Sequence, residues 1–188
     1  MTEKVATWKR KSSKQVADCK VFKVRQDISV CEENGKEHPF YVIESPEWVN
    51  IIPVTKSDEV VLIEQYRHGT DEVTLEIPGG LVDDGEDPQA AAVREMTEET
   101  GYVPRKVVLL GRSRPNPAIQ NNWVYHYLAL DCELKQEVKF DANESIATGL
   151  VPLAEIAPLI SEGMITHSLV IAAFHWFSLY VTSGKMKK

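Results

Sequence analysis

The stretch GGLVDDGEDPQAAAVREMTEETG, residues 79–101, carries the clearest helix signal of the chain. Asp87 is a residue type favoured at helix N-caps, and Pro88 is favoured in the first helical turn. Gly101 is a residue type that ends helices, because glycine readily adopts the left-handed conformation found there. These signals predict a helix over residues 88–100.

Three glutamates fall on one side of this predicted helix. On a wheel of ~100° per residue, Glu95, Glu98 and Glu99 lie together beside an apolar side, and Arg94 lies at the edge of the acidic group. Glu95 and Glu99 repel each other by about 0.2–0.5 kcal/mol at this spacing, and all three acids stand near the negative end of the helix dipole. Such a locally unfavourable pattern indicates either a plain solvated acidic face or a site for a hard divalent cation.

The residues before and after the helix extend this pattern into a longer motif. Pro78, Gly79, Gly80 and Gly85 predict a loop whose backbone can approach a ligand closely, because glycine has no side chain. The whole segment reads Gly80-x5-Glu86-x7-Arg94-Glu95-Met96-x-Glu98-Glu99-x-Gly101-Tyr102.

This motif closely resembles the signature of the Nudix hydrolases, Gx5Ex7REUxEExGU, in which U is usually aliphatic. Every fixed position is filled, and the one departure is Tyr102 at the last U position. In that family the segment is a loop–helix–loop that holds Mg²⁺, with Mn²⁺ as the alternative. The resemblance implies that water attacks a phosphorus of a diphosphate, while the metal lowers the pKa of the water and neutralises charge on the oxygens.

The resemblance also implies roles for single residues of the motif. Glu95 and Glu99 would be the principal metal ligands, and Glu98 would be a further ligand or would hold a water. The backbone carbonyl of Gly79 would complete part of the metal shell. The remaining fixed positions would be structural, and they are Gly80, Glu86, Arg94 and Gly101.

Charge and composition bound the other possibilities. The chain has 188 residues and a formal net charge of -7, so it has no general attraction for nucleic acid or anionic lipid. A bound cation would reverse the local sign for an anionic substrate. The N-terminus lacks the apolar core of a signal peptide, and the apolar stretch 169–181 is shorter than the ~20 residues that span a bilayer. We therefore expect a soluble, cytoplasmic protein with neither a nucleic-acid nor a membrane partner.

The order of the predicted elements indicates a mixed α/β fold. Asn34-Gly35 between two β-rich runs is a strong hairpin signal. With the family resemblance, this predicts an α/β/α sandwich over residues 48–188 and an N-terminal antiparallel β extension over residues 1–47. The predicted strands cover residues 20–33, 38–45, 49–54, 59–65, 74–77, 106–110 and 123–130, and the predicted helices cover 88–100, 151–160 and 168–181.

A second group of residues resembles the ADP-ribose pyrophosphatase branch of this family. Gln65-Tyr66-Arg67 precedes residues 75–80, and Pro117 lies sixteen residues after Gly101, where that branch typically carries a proline. The resemblance implies that Arg67 contacts a phosphate, for which a guanidinium is well suited; the alternative is a surface arginine. Glu76 would orient the metal ligands without binding the metal itself, or it would form an ordinary strand salt bridge.

Glu144 matches the glutamate of a mobile acidic loop that approaches the attacking water in this branch. It is the predicted general base, and Glu98 is the alternative, because the base differs between branches of the family. His167 and His175 are expected to be ordinary helix residues.

The resemblance assigns dimerisation to the N-terminal extension. In the branch, these strands swap across a homodimer, and an aromatic residue of the partner stacks on the base. The candidates for stacking are Trp8, Phe40, Tyr41 and Trp48. Gln120 lies in a polar loop, residues 112–122, that would read the distal sugar.

These observations predict hydrolysis of ADP-ribose or a related nucleoside diphosphate sugar to a nucleoside monophosphate and a sugar phosphate. One alternative is a hydrolase of nucleoside triphosphates or dinucleoside polyphosphates, which uses the same helix. Another is a non-catalytic sensor of an ADP-ribose-type ligand. The sequence leaves open the base and sugar preference and the number of metal ions.

Overall fold

The computed structural model describes residues 5–138 and 145–184. Contacts divide the chain into two units, the first made of residues 1–46 with 114–122 and the second of residues 47–113 with 123–188. The strands are β1 (Trp8–Asp18), β2 (Lys23–Cys31), β3 (Glu37–Glu44), β4 (Trp48–Thr55), β5 (Glu59–Arg67), β6 (Glu72–Glu76), β7 (Gly79–Leu81), β8 (Tyr102–Val103), β9 (Lys106–Ser113), β10 (Val124–Leu134) and β11 (Ile146–Pro152). The helices are α1 (Pro88–Thr100), α2 (Ile156–Ser161) and α3 (Ser168–Thr182).

The first unit is an antiparallel sheet in the order β1-β2-β3. The predicted hairpin at Asn34-Gly35 is present, and Gly35 adopts a positive φ of 70° and donates its N–H to Cys31. Residues 114–122 join this unit because Ile43 donates its N–H to the carbonyl of Ile119 at 2.7 Å. The N-terminal antiparallel sheet predicted from the sequence is therefore confirmed.

The second unit is built on a mixed sheet whose central strands β4 and β10 run parallel. Successive side chains of a strand point to opposite faces of the sheet, and both faces of β4 carry buried apolar side chains. Val49 and Ile51 pack with Met96 of α1, whereas Ile52 packs with Val170 of α3. Helices thus cover both faces of the sheet, as predicted for an α/β/α sandwich.

The structure corrects two of the predicted elements and adds three strands. The helix predicted over 151–160 is wrong, because residues 151 and 152 end β11 and a 3-10 turn, Leu153–Glu155, precedes the short α2. Gly79-Gly80, predicted as loop, begins β7, which pairs with β4. Strands β1, β8 and β11 have no counterpart among the predicted strands. The domain boundary predicted at residue 47 stays a prediction.

The described helices also bear on membrane insertion. None of the helices within residues 5–138 and 145–184 combines the length and the apolar character needed to cross a bilayer.

Candidate active site

Helix α1 begins and ends where the sequence predicts. Asp87 caps its first turn by accepting hydrogen bonds from the N–H groups of Gln89 at 2.9 Å and Ala90 at 3.2 Å. Gly101 follows the helix with φ 74° and donates its N–H to the carbonyl of Thr97. These caps satisfy backbone groups that the helix leaves open at its ends, and they fix the register of the acidic side chains.

The acidic side of α1 is not a plain solvated face. Glu99 is only 5% exposed, and its Oε2 accepts a hydrogen bond from the N–H of Gly79 at 3.2 Å. A buried carboxylate is costly unless polar groups compensate it, so this contact with the strand is part of its support. Glu98 differs, because 44% of its side chain is exposed.

Glu95 lies against the backbone of the same short strand. A Cβ atom placed on Gly80 would fall 2.5 Å from the carboxyl carbon of Glu95, so only glycine fits there without displacing the carboxylate. Glu99 therefore approaches Gly79 of β7, and Glu95 approaches the next residue, Gly80.

Arg94 connects the acidic residues of this segment. Its guanidinium donates to both oxygens of Glu86 at 3.0 and 2.9 Å, to Glu95 at 2.9 Å and to Glu98 at 3.3 Å. It also donates to the carbonyl of Leu81 at 3.2 Å. The hydrogen bonds from Arg94 lower the pKa of Glu86, and those to Glu86 raise the pKa of Arg94. The contact of Glu86 with Arg94 joins the loop before α1 to the helix, which agrees with the structural role expected for both residues.

The chemistry of this segment fits a hard divalent cation. Carboxylate oxygens are the ligands that Mg²⁺ prefers, and those of Glu95 and Glu99 approach the same two glycines. Among the described residues, no three His, Cys, Asp or Glu side chains are gathered into a ready metal centre. Glu95 and Glu98 instead accept hydrogen bonds from Arg94. The ligand roles of Gly79, Glu95, Glu98 and Glu99 stay predictions.

Arg67 belongs to a second polar cluster of the same unit. Its Nε and Nη2 donate to the two oxygens of Glu76 at 2.8 and 2.7 Å. Glu76 is 2% exposed and also contacts Thr74 Oγ1 at 2.6 Å and His167 Nδ1 at 2.8 Å. Burial raises the pKa of Glu76, but the hydrogen bonds from Arg67, His167 and Thr74 outweigh it and lower this pKa to about 2.

The contacts of this cluster bear on the predicted roles of Glu76, Arg67 and His167. Glu76 forms a salt bridge with Arg67, as one of its two interpretations predicted. The phosphate contact of Arg67 stays a prediction. His167 is more than an ordinary helix residue, because its ring contacts a buried carboxylate 91 residues earlier in the chain. No local pattern in the sequence indicates a contact over that separation.

The aromatic candidates of the first unit lie partly together. The rings of Trp8 and Phe40 meet edge to face with centroids 5.0 Å apart, and His38 makes a similar contact with Phe40. Tyr41 accepts a hydrogen bond from Gln26 at 2.6 Å. Stacking of any of these rings on a base stays a prediction.

The remaining candidates occupy separate positions. Trp48 begins β4 in the second unit, in register with Leu81 of β7. In the first unit, Pro117 lies in an exposed turn and Gln120 forms an isolated bridge with Ile43. Glu144 lies outside the described residues, so the choice between Glu144 and Glu98 as general base stays open.

Known proteins resemble this chain over most of its length. It is 28% identical over 168 residues to the methanol dehydrogenase activator of Bacillus methanolicus, covering 89% of this chain and 90% of that protein. It is 25% identical over 147 residues to the ADP-ribose pyrophosphatase of Bacillus subtilis (strain 168), covering 78% and 80%. It is 31% identical over 157 residues to the CMP-5'-(N-acetyl-N-hydroxy-3-aminopropyl)phosphonate hydrolase of Streptomyces rubellomurinus, covering 83% and 75%.

The fold is shared with a solved structure. The crystal structure of an ADP compounds hydrolase superposes with a TM-score of 0.85 at 22% identity, covering 97% of this chain and 98% of that one. At 22% identity this similarity is evidence about the fold alone, and it confirms the predicted fold class.

A family model described as the NUDIX domain matches residues 46–174, which include the whole motif from Gly80 to Tyr102. The match covers more than half of the chain, and it confirms the resemblance drawn from the motif. The chain therefore belongs to the Nudix family of hydrolases.

Proposed function

We propose that this hydrolase cleaves the diphosphate bond of ADP-ribose or a related nucleoside diphosphate sugar, giving a nucleoside monophosphate and a sugar phosphate. The carrying observation is the approach of Glu95 and Glu99 to Gly79 and Gly80, which brings two carboxylates to one short strand. The substrate class is supported by the ADP-ribose pyrophosphatase of Bacillus subtilis, which is similar over 78% of this chain.

Mg²⁺ is the proposed cofactor, with Mn²⁺ as the alternative. Glu95, Glu99, Glu98 and the carbonyl of Gly79 would hold it. When bound, it would neutralise charge on the diphosphate oxygens and lower the pKa of the attacking water. Arg94 would release Glu95 and Glu98 to the metal while it keeps Glu86, because its two bonds to Glu86 are separate from those to the other carboxylates.

The chain's own residues would supply binding and proton transfer. Arg67, held by Glu76, would donate to a phosphate of the substrate, since a guanidinium offers several N–H donors in one plane. Glu144 would accept the proton of the attacking water, with Glu98 as the alternative base.

The N-terminal unit would complete the binding of the base. We propose a homodimer in which an aromatic residue of this unit stacks on the base, with the Trp8–Phe40 pair as the first candidate. We do not specify which base the substrate carries, because the relatives include hydrolases of both an adenine and a cytosine nucleotide compound.

The test is phosphate release from ADP-ribose in the presence of alkaline phosphatase, which acts on the monophosphate products and leaves ADP-ribose intact. Turnover is expected with Mg²⁺. Its loss with excess EDTA is measured without the phosphatase, because EDTA would also remove the metal ions of alkaline phosphatase. Chromatography of a reaction without the phosphatase should show AMP and ribose 5-phosphate as the direct products.

A substrate panel decides between this proposal and its alternatives. The panel contains ADP-ribose, other ADP- and CDP-linked compounds, nucleoside triphosphates and dinucleoside polyphosphates. Preferred turnover of the last two groups would contradict the proposal and favour the alternative hydrolase. Binding of ADP-ribose without turnover of any compound would favour a sensor.

A further inference from the structure

His167 stands at the start of α3, but its side chain does not cap the helix. It is the N-cap residue of α3, yet its side chain makes no capping hydrogen bond. Ser, Thr, Asp and Asn are favoured at this position because their side chains accept from the first free N–H groups of the helix. The ring of His167 instead contacts Glu76, which lies at the end of β6.

The direction of this hydrogen bond follows from the chemistry of Glu76. The pKa of Glu76 is about 2, so its carboxylate is ionised at neutral pH and can only accept. His167 must therefore donate from Nδ1 across the 2.8 Å contact. The same oxygen, Oε2, also accepts from Nη2 of Arg67 at 2.7 Å. His167 and Arg67 thus share one carboxylate oxygen.

Arg67 is far more exposed than the carboxylate that holds it. Its side chain is 41% exposed, whereas that of Glu76 is 3% exposed. A long side chain at the last residue of a strand loses considerable rotamer freedom when it is held in one orientation. Glu76 imposes that orientation through two parallel hydrogen bonds, and Glu76 itself is held by Thr74 and His167.

We propose that His167 is a positioning residue for substrate binding, which fixes Glu76 so that Glu76 holds the guanidinium of Arg67 ready for a phosphate of the substrate. This inference rests on the phosphate contact of Arg67 in the proposed function. It links the start of α3 to substrate affinity, a role that helix-end stability alone would not give to this residue.

Three substitutions of His167 separate positioning from helix capping. His167→Ala removes both the donor and any cap. His167→Ser restores a capping side chain that is too short to replace the ring at Glu76. His167→Asn restores a cap and also an N–H donor at about the position of Nδ1. The matched control is His175→Ala, which removes an exposed histidine from the same helix.

We expect His167→Ala to raise the KM for ADP-ribose about tenfold with a much smaller change in kcat, because a substrate contact is weakened. His167→Asn should recover most of the affinity, and His167→Ser should not. His175→Ala should leave both constants unchanged. Equal recovery by Ser and Asn, or an unchanged KM in His167→Ala, would overturn the proposal.

A double-mutant cycle with Arg67→Ala tests the route of the effect. If His167 acts through Arg67, His167→Ala should lower kcat/KM about tenfold in the wild-type background and hardly at all in the Arg67→Ala background. The melting temperature of each variant is measured alongside. Equal effects in the two backgrounds would show that His167 acts independently of Arg67.

The design also separates this inference from the proposed function. If the wild-type protein turns over no nucleoside diphosphate sugar, the proposed function fails. The same variants are then compared by calorimetric binding of inorganic pyrophosphate, a diphosphate probe that Arg67 would contact. A weaker affinity in His167→Ala that is restored in His167→Asn supports positioning, and equal affinities refute it.

Discussion

Arg94 donates two parallel hydrogen bonds to Glu86, from Nε to Oε1 at 3.0 Å and from Nη2 to Oε2 at 2.9 Å. This fork joins the loop before α1 to the helix itself, and the same guanidinium also contacts Glu95 and Glu98. Arg94→Lys keeps the charge but loses the planar fork. We expect the free energy of unfolding to fall by about 1–3 kcal/mol, since hydrogen bonds to charged groups are lost.

Urea unfolding followed by circular dichroism measures this change. The control is Arg105→Lys, at an exposed arginine of the same unit. Equal stabilities for Arg94→Lys and the wild-type protein would show that the fork contributes nothing to the fold.

Glu99→Gln should separate the fold of the site from its chemistry. Glutamine keeps the shape of the buried side chain and an oxygen that can accept from the N–H of Gly79, but it removes the negative charge. We expect kcat to fall by about 100-fold or more, as for other groups that stabilise charge in a transition state. The melting temperature without metal should change little.

The matched control is Glu155→Gln, at an exposed acidic residue of the 3-10 turn. It should retain full turnover. Wild-type turnover in Glu99→Gln would refute the metal role of Glu99.

Gly80→Ala tests the contact between β7 and Glu95. The added methyl group would lie 2.5 Å from the carboxyl carbon, so the carboxylate must move. Because catalysis depends on positions held to within a fraction of an ångström, we expect kcat/KM to fall by about tenfold or more. Among the residues that the structure describes, no atom lies within 4 Å of a Cβ built at Gly149, so Gly149→Ala is the control and should retain activity. Equal activity of both variants would show that the close approach of Glu95 to Gly80 is not required for activity.

Glu76→Gln should change the acid stability of the protein in a defined range of pH. The pKa of Glu76 is lowered from 4.5 to about 2 in the folded protein. The ionised form therefore stabilises the fold fully above about pH 4.5, and this contribution is lost as the pH falls towards 2. The advantage of the wild-type protein over Glu76→Gln should reach up to about 3 kcal/mol at neutral pH.

Urea unfolding of both proteins between neutral pH and about pH 2 gives this difference directly. Comparing the two variants cancels the groups that they share. A difference that stays constant across the range would contradict the lowered pKa of Glu76.

The sequence predicts those parts of the fold whose causes are local. Asp87 and Gly101 determine the ends of α1, and Asn34-Gly35 determines the hairpin of β2 and β3, through capping and turn chemistry within a few residues. The acidic motif likewise lies within one segment, so helix periodicity alone places Glu95, Glu98 and Glu99 on one side of α1.

The missed features depend on distant partners. Strand β1 is polar and almost entirely exposed, so it has no apolar alternation and exists through its pairing with β2. Strand β11 contains Gly149 and Pro152, which are depleted in strands, and it is held by pairing with β5. The contact of His167 with Glu76 joins residues brought together only by the finished fold.

The membership of residues 114–122 in the first unit has a consequence for how this protein can be divided. The chain leaves the second unit after residue 113 and returns to it at residue 123, and in between it bonds to Ile43. A fragment beginning at residue 47 would therefore contain residues 114–122 but lack Ile43, to which this segment is hydrogen-bonded. We therefore expect that grafting the N-terminal sheet onto another hydrolase would require two coordinated insertions, one for the sheet and one for the segment that corresponds to residues 114–122.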